Sequence, residues 1–280
     1  MGRFSNGLEL VRLSFRVIGK NKSLMVFPVL SGVTAMVILA TFLVGFIFAS
    51  AAMQSMPGWL WVIVGFIIYI VLFFITIFFN AALVACAMAT LEGGTPTIGY
   101  GISMASKKLG KIFAWAVISA IVGMILQAIQ ERAGFLGRIA VSLLGAAWTI
   151  ATYFVVPIIV FEDIGAWASV KRSYQLLKAS WGEGLVGYVA MGLIFFLLAI
   201  GGLIPVIVVV ALMKSLWALL IGIVAYVIYL VFLAALAATA KGVIQAALYR
   251  YATTGKIDIQ MPSWFPPPPA AYMPTPPPQM

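Results

Sequence analysis

The sequence predicts an all-α membrane protein with six transmembrane helices. Three observations carry that prediction. The 280 residues are 64% hydrophobic and 9% charged, with a mean hydropathy of +1.14, where soluble domains carry roughly 25% charged residues. Charge is confined to the gaps between long apolar runs. Those runs also lack the strict alternation of barrel strands, so helices are the structure that satisfies their backbone groups in lipid.

A hydrocarbon core of about 30 Å takes about 20 apolar residues of helix. Six runs qualify: residues 24–52, 59–88, 112–129, 139–161, 185–213 and 216–240. The first carries Ala49-Ser50-Ala51, which mimics a signal cleavage site. Its apolar stretch exceeds a signal h-region and its basic leader is long, so it reads as an uncleaved span. The third is the shortest and includes Ser119 and Gln127, which makes it the weakest. The fourth holds Pro157, one turn before Glu162 and Asp163. In the fifth, Gly201, Gly202 and Pro205 fall mid-run, where proline removes a backbone donor and glycine weakens the helix. A helix break is expected there, and broken helices can build substrate sites. The sixth span continues past Ala240 through Val243, Ala247 and Leu248 to about Tyr251.

Orientation follows from Lys and Arg in alternate loops. Arg3, Arg12, Arg16, Lys20, Lys22, Lys107, Lys108, Lys111, Lys171, Arg172, Lys178, Lys241, Arg250 and Lys256 fall on one side. Only Arg132, Arg138 and Lys214 fall on the other. The expectation is a plasma- or inner-membrane protein with both termini cytoplasmic. The net charge of +10 then reflects topology and attraction to anionic headgroups, worth about 1 kcal/mol per Lys or Arg at the surface. No nucleic-acid motif accompanies it.

Three segments on the basic side read as short amphipathic helices of the kind that lie in the headgroup region. Leu8, Val11, Phe15 and Ile18 form one stripe, apart from Arg12 and Arg16. Thr95-Pro96 starts a second, with Ile98, Ile102, Ala105 and Leu109 on one side and Lys107, Lys108 and Lys111 away from it. Trp167, Val170, Tyr174, Leu177 and Trp181 form the third, beside Lys171, Gln175 and Lys178. The candidate lipid-facing cations are therefore Arg12, Arg16, Lys107, Lys108, Lys171, Arg172 and Lys178. One order, a short helix followed by two spans, runs three times over residues 1–91, 95–161 and 163–250. Identity between the units is too low to distinguish duplication from a shared element order.

Within the spans the polar inventory is thin: Asn80, Gln127, Ser142, Thr149 and Thr152 stand out. Such groups usually bond a neighbouring helix. Intramembrane Asp, Glu, Lys, Arg or His would announce a proton path or voltage sensor, and none lies near the middle of a run. The chain has no histidine, and Cys86 is its one cysteine. That excludes a Ser–His pair, a His-ligated metal and an internal disulfide. Glu162 with Asp163 is the best remaining acid pair, and a helix cap explains it. No catalytic, metal or cofactor site is expected, and the chain does not read as an enzyme.

Residues 1–257 form the membrane domain. Residues 258–280 are expected to be a disordered Pro-rich cytoplasmic tail, since nine of the fourteen prolines lie in 262–280 and such a run cannot build a core. Trp264 and Phe265, beside Pro266–Pro269, are its candidate anchor for a protein partner.

The stretch Tyr153–Asp163, with Ser173-Tyr174, Trp181-Gly182 and Ala247–Gly255, resembles an uncharacterised family of six-pass prokaryotic membrane proteins. The resemblance covers about residues 4–257 and implies no activity. More remotely, the arrangement is similar to membrane domains found beside some glycerophosphodiester phosphodiesterases. Residues of their catalytic domain are not in this sequence, so nothing of that activity carries over. The expected function is an accessory or organising membrane protein that engages anionic lipid and cytoplasmic partners. The rival is a transporter or channel for a lipid-like or uncharged substrate, using the broken fifth helix.

The topology yields a direct test. Single cysteines at Gln54 and Ser106, in a chain lacking Cys86, should react with an impermeant thiol reagent from opposite faces of the membrane. Equal labelling from outside would overturn six spans with both termini inside.

Overall fold

The computed structural model describes residues 3–53, 57–179, 183–213 and 215–254. All elements among them are helical. They are α1 (Arg3–Lys20), a 3-10 turn (Lys22–Met25), α2 (Val26–Met53), α3 (Gly58–Leu91) and α4 (Ile98–Ser106). Then follow α5 (Leu109–Arg132), α6 (Phe135–Ala151), α7 (Val155–Phe161), α8 (Ala166–Ala179), α9 (Glu183–Met213) and α10 (Leu216–Thr254). Six stretches are long and apolar enough to cross a membrane: Lys22–Phe48, Gly58–Leu91, Leu109–Arg132, Phe135–Phe161, Gly192–Met213 and Leu216–Thr254. All six apolar runs are helical, so the chain is a multi-pass membrane protein. The third is longer than its apolar run: α5 begins before Lys111, takes in Gln127 and ends at Arg132, for 24 residues.

The core is not at mid-height but towards the basic end. Ala81–Met88 of α3 and Gly242–Tyr249 of α10 are buried throughout, and they pack with α7, Leu24 and Phe27. The sequence allows this because Ala81, Ala82, Ala85 and Ala87 on α3 and Gly242, Ala246 and Ala247 on α10 are small and let backbones approach closely. The far halves of α2, α9 and α10 instead present Phe46, Ile47, Ile204, Leu212, Leu220 and Ile221 outward. A bilayer would cover these side chains.

The short helices are fixed to this core. Asn21 ends α1 and caps the 3-10 turn, its side chain accepting from the Ser23 amide at 3.1 Å. Its amide nitrogen donates to the Pro96 carbonyl at 3.0 Å, joining the α1–α2 corner to the α3–α4 connection. Thr97 caps α4 by accepting from the Tyr100 amide. Gly101 of α4 then sits on α3 so closely that a Cβ there would lie 2.7 Å from both the Ala82 carbonyl and the Cys86 sulfur.

Two expected features of these helices change. Among the described side chains of α1, Leu13, Ser14, Val17 and Ile18 are buried and Phe15 is exposed, while those of Leu8 and Val11 lie outside the described set. On α8 the inward side is Ala166, Ser169, Ser173 and Leu176, while Trp167 is 69% exposed and Tyr174 53% exposed. On α8 the small residues Ala166, Ser169 and Ser173 join Leu176 on the inward side, which lets the helix press close, whereas the inward side of α1 stays mostly aliphatic. Leu109 belongs to α5, not to the stripe on α4.

The expected break in the fifth span does not form. Helix α9 runs unbroken through Gly201, Gly202 and Pro205. Gly202 makes room for the ring of Tyr229 on α10. The Tyr229 hydroxyl donates to the Leu198 carbonyl at 2.8 Å, and that of Tyr226 donates to Ala199 at 3.0 Å. These bonds tie α10 to α9 just before Gly201, whose carbonyl, four residues before Pro205, is the one that loses its helical donor.

Gly101→Ala forces Cβ into a backbone carbonyl and should lower bundle stability by about 1–3 kcal/mol. Gly45→Ala, where no atom lies within 4 Å of the added carbon, should be neutral or gain up to about 1 kcal/mol. Thermal unfolding in detergent distinguishes the two.

Candidate functional site

The fourth span is interrupted, and its interruption organises the site. Helix α6 ends at Ala151 and α7 begins at Val155. Pro157 has no amide hydrogen, so the carbonyl of Tyr153, four residues earlier, lacks its helical donor. The next bond in the series, from the Ile158 amide to the Phe154 carbonyl, is formed at 3.0 Å. Gln245 of α10 supplies the missing donor: its side-chain amide donates to the Tyr153 carbonyl. On the other side of the turn, the Phe154 amide donates to the Ser173 hydroxyl of α8 at 3.0 Å. Side chains of two other helices thereby complete the backbone of the fourth span.

Gln245 is 8% exposed. Its carbonyl oxygen accepts from the Asn80 amide of α3 at 3.5 Å. Above this pair lies a cavity of about 690 Å³, walled by α2, α3, α5, α6 and α10. Leu83, Trp115, Gly242 and Gln245 form its buried floor, and Val29, Val33, Met36 and Val231 are exposed members of its wall. Ser31, Thr76, Asn80, Thr149, Thr152, Tyr153, Lys241 and Gln245 are the polar side chains that line it. The Thr76, Thr149 and Thr152 hydroxyls donate back to Leu72, Gly145 and Trp148 carbonyls at 2.8–2.9 Å. Lys241 is the one charged residue among the described residues of the wall.

A second cluster lies where α7 meets α8. Glu162, at the end of α7, accepts from Arg172 Nε at 3.0 Å and from the Tyr249 hydroxyl at 3.1 Å. Asp163 turns the chain in the left-handed region (φ 54°), which Asp tolerates better than most residues. Its carboxylate accepts from Lys108 and from Lys111, the latter at 2.6 Å. Hydrogen bonds from those two ammonium groups, Lys108 first, hold its pKa down to about 2. The acid pair is therefore more than a cap, since it joins α5, α8 and α10 to α7.

A family model described as a family of unknown function (DUF6159) matches residues 59–259. The chain belongs to that family. The DUF6159 match takes in α3 to α10, and so the whole cavity wall except α2. It is shorter at its beginning than the resemblance expected over residues 4–257. No curated protein and no solved structure matches the chain.

In this DUF6159 member the expected cations divide into two sets. Arg12, Arg16, Lys107 and Lys171 are exposed, whereas Lys108 and Arg172 are drawn into the ion pairs with Asp163 and Glu162. Lys178 lies on α8, with its side chain outside the described set, and Trp264 and Phe265 lie outside the described residues. None of Gly201, Gly202 and Pro205 lines the cavity. Of the polar residues singled out in the sequence, Asn80, Thr149 and Thr152 line it, whereas Gln127 is exposed and bonds Glu131 at 3.0 Å. Gln245 escaped notice because it lies just past the sixth apolar run. The signal was Pro157 itself, which requires a donor from elsewhere.

Replacing Gln245 by Leu keeps the volume but orphans the Tyr153 carbonyl, a loss of about 1–3 kcal/mol. Pro157→Ala restores an amide facing that carbonyl, so the double variant should recover a substantial part of the loss. Thermal unfolding of the two single variants and the double variant closes the cycle. Simple additivity would rule out this account of the bond.

Proposed function

We propose that the protein is an accessory or organising component of the plasma or inner membrane, with both termini cytoplasmic. It gathers anionic lipid around its basic end and recruits a partner through residues 262–280. The observation that carries this reading is the orientation of α8. Its small side chains lock onto the bundle, leaving Trp167, Tyr174 and Lys171 directed outward.

Aromatic rings beside a cation suit the boundary between headgroups and acyl chains. Arg12, Arg16 and Lys107 add exposed charge at the same end. Nearby Glu162 and Asp163 are engaged by Arg172, Lys108 and Lys111, so these two acids do little to offset the outward cations. The transporter reading relied on a broken α9. With α9 continuous, a transporter or channel for a lipid-like or uncharged substrate would need a route other than a broken α9.

Arg12, Arg16, Lys107 and Lys171 changed together to Gln should reduce the anionic lipid that co-purifies in mild detergent. Each charge contributes about 1 kcal/mol, screened by salt. Arg172 and Lys108 should be left intact, since their loss would loosen α7 and α8 directly. Unchanged lipid content in a normally inserted variant would refute the reading.

A further inference from the structure

The cavity between α2, α3, α5, α6 and α10 is closed at one end and open at its side. Its floor of Leu83, Trp115, Gly242 and Gln245 belongs to, or packs on, the buried segments Ala81–Met88 and Gly242–Tyr249. Protein rather than water therefore lies behind it. The side is framed by Val29, Val33 and Met36 of α2 and by Val231 and Ala234 of α10, all exposed. A membrane lipid reaches the cavity laterally, without crossing the core.

The floor offers neutral amides. Asn80 and Gln245 each carry two N–H donors. One of each is used, on the Gln245 side-chain oxygen and on the Tyr153 carbonyl, which leaves one N–H on each for an acceptor. Lys241 also lines the cavity, but it already has an interaction partner. No Asp or Glu is among the described lining residues. A charge brought against this floor would be buried without a counter-ion, which costs more than two amide hydrogen bonds return. Thr76 and Thr149 stand one turn away from Asn80 and Tyr153, on the side of the open apolar wall. Their hydroxyls donate to carbonyls of their own helices, so they face hydrocarbon without an unmet donor.

We propose that this cavity holds one uncharged lipid whose polar end carries carbonyl oxygens, the chemistry shared by the esters of a diacylglycerol and the ketones of a quinone. The carbonyls accept from Asn80 and Gln245. The apolar chain leaves past Thr76 and Thr149, along Val33, Met36 and Val231. The volume of about 690 Å³ falls in the range of about 300–1,000 Å³ that holds a small ligand, and it takes the polar end with the first part of the chain. The site goes beyond the surface binding of anionic lipid and does not depend on it, since it rejects the phosphate that the surface selects.

The test reconstitutes the full chain with equal amounts of dioleoylglycerol, dioleoyl-phosphatidylglycerol, dioleoyl-phosphatidylcholine and a ubiquinone, followed by native mass spectrometry from mild detergent. One dioleoylglycerol or one ubiquinone should stay on each chain after the phospholipids are stripped, and which of the two stays identifies the carbonyl. Asn80→Leu removes one of the two spare N–H groups while leaving the Gln245 bond to Tyr153. It should weaken retention about fivefold, the worth of one hydrogen bond. Ala234→Trp, which fills the cavity from an exposed position on α10, should abolish retention without changing insertion or thermal unfolding. Thr76→Val combined with Thr149→Val should leave it unchanged. The fourfold surface variant should lose anionic lipid yet keep the neutral one, so the two readings can fail separately. Phospholipid held as firmly as the neutral lipids, undiminished retention in the Asn80 or Ala234 variant, or loss on replacing the two threonines would overturn the site.

Discussion

Everything at the basic end of this protein depends on one carbonyl that its own helix cannot satisfy. Pro157 removes the donor that the Tyr153 oxygen would use, and an unmet buried carbonyl costs about 1–3 kcal/mol. Gln245 meets that need from α10, and Asn80 orients Gln245 from α3. The bond therefore fixes the fourth span against the two helices that supply most of the core. It also sets the floor of the cavity, because Gln245 and Asn80 both line it. In lipid, where water cannot substitute, such a bond specifies the arrangement as much as it stabilises it.

The ion pairs act at a second level. Partly exposed pairs are individually worth about 0–1 kcal/mol. Their role here is geometric: two adjacent carboxylates receive cations from α5 and α8 and a phenol from α10. A left-handed Asp163 lets the chain turn sharply enough for both acids to be used at once. This arrangement also separates the cations. Lys108, Lys111 and Arg172 hold the fold, while Arg12, Arg16, Lys107 and Lys171 face outward.

The span count was legible in the sequence because the bilayer imposes a length on every apolar run, and charge marks the ends. Asn80, Thr149 and Thr152 were legible as intramembrane polar groups. The facing of the short helices was not. On α8, Trp167 and Tyr174 carry the apolar signal, yet Ser169 and Ser173 make the contact, since close packing rewards small side chains over greasy ones. The two proline sites show a related limit. Pro205 sits in a helix braced by Tyr226 and Tyr229 and stays continuous, while Pro157 accompanies a break bridged by Gln245 and Ser173. Both prolines remove one helical donor, and the residues around them do not show which one accompanies a break.

The uneven distribution of the core has a mechanical consequence. Ala81–Met88 and Gly242–Tyr249 clamp the helices at one end, whereas the far halves of α2, α9 and α10 carry large exposed side chains. Those halves depend on acyl chains for their lateral support. When the surrounding bilayer thins or thickens, the strain falls on the unclamped ends, which can spread or tilt at modest cost. The clamped end keeps its geometry, like the hub of a partly opened fan.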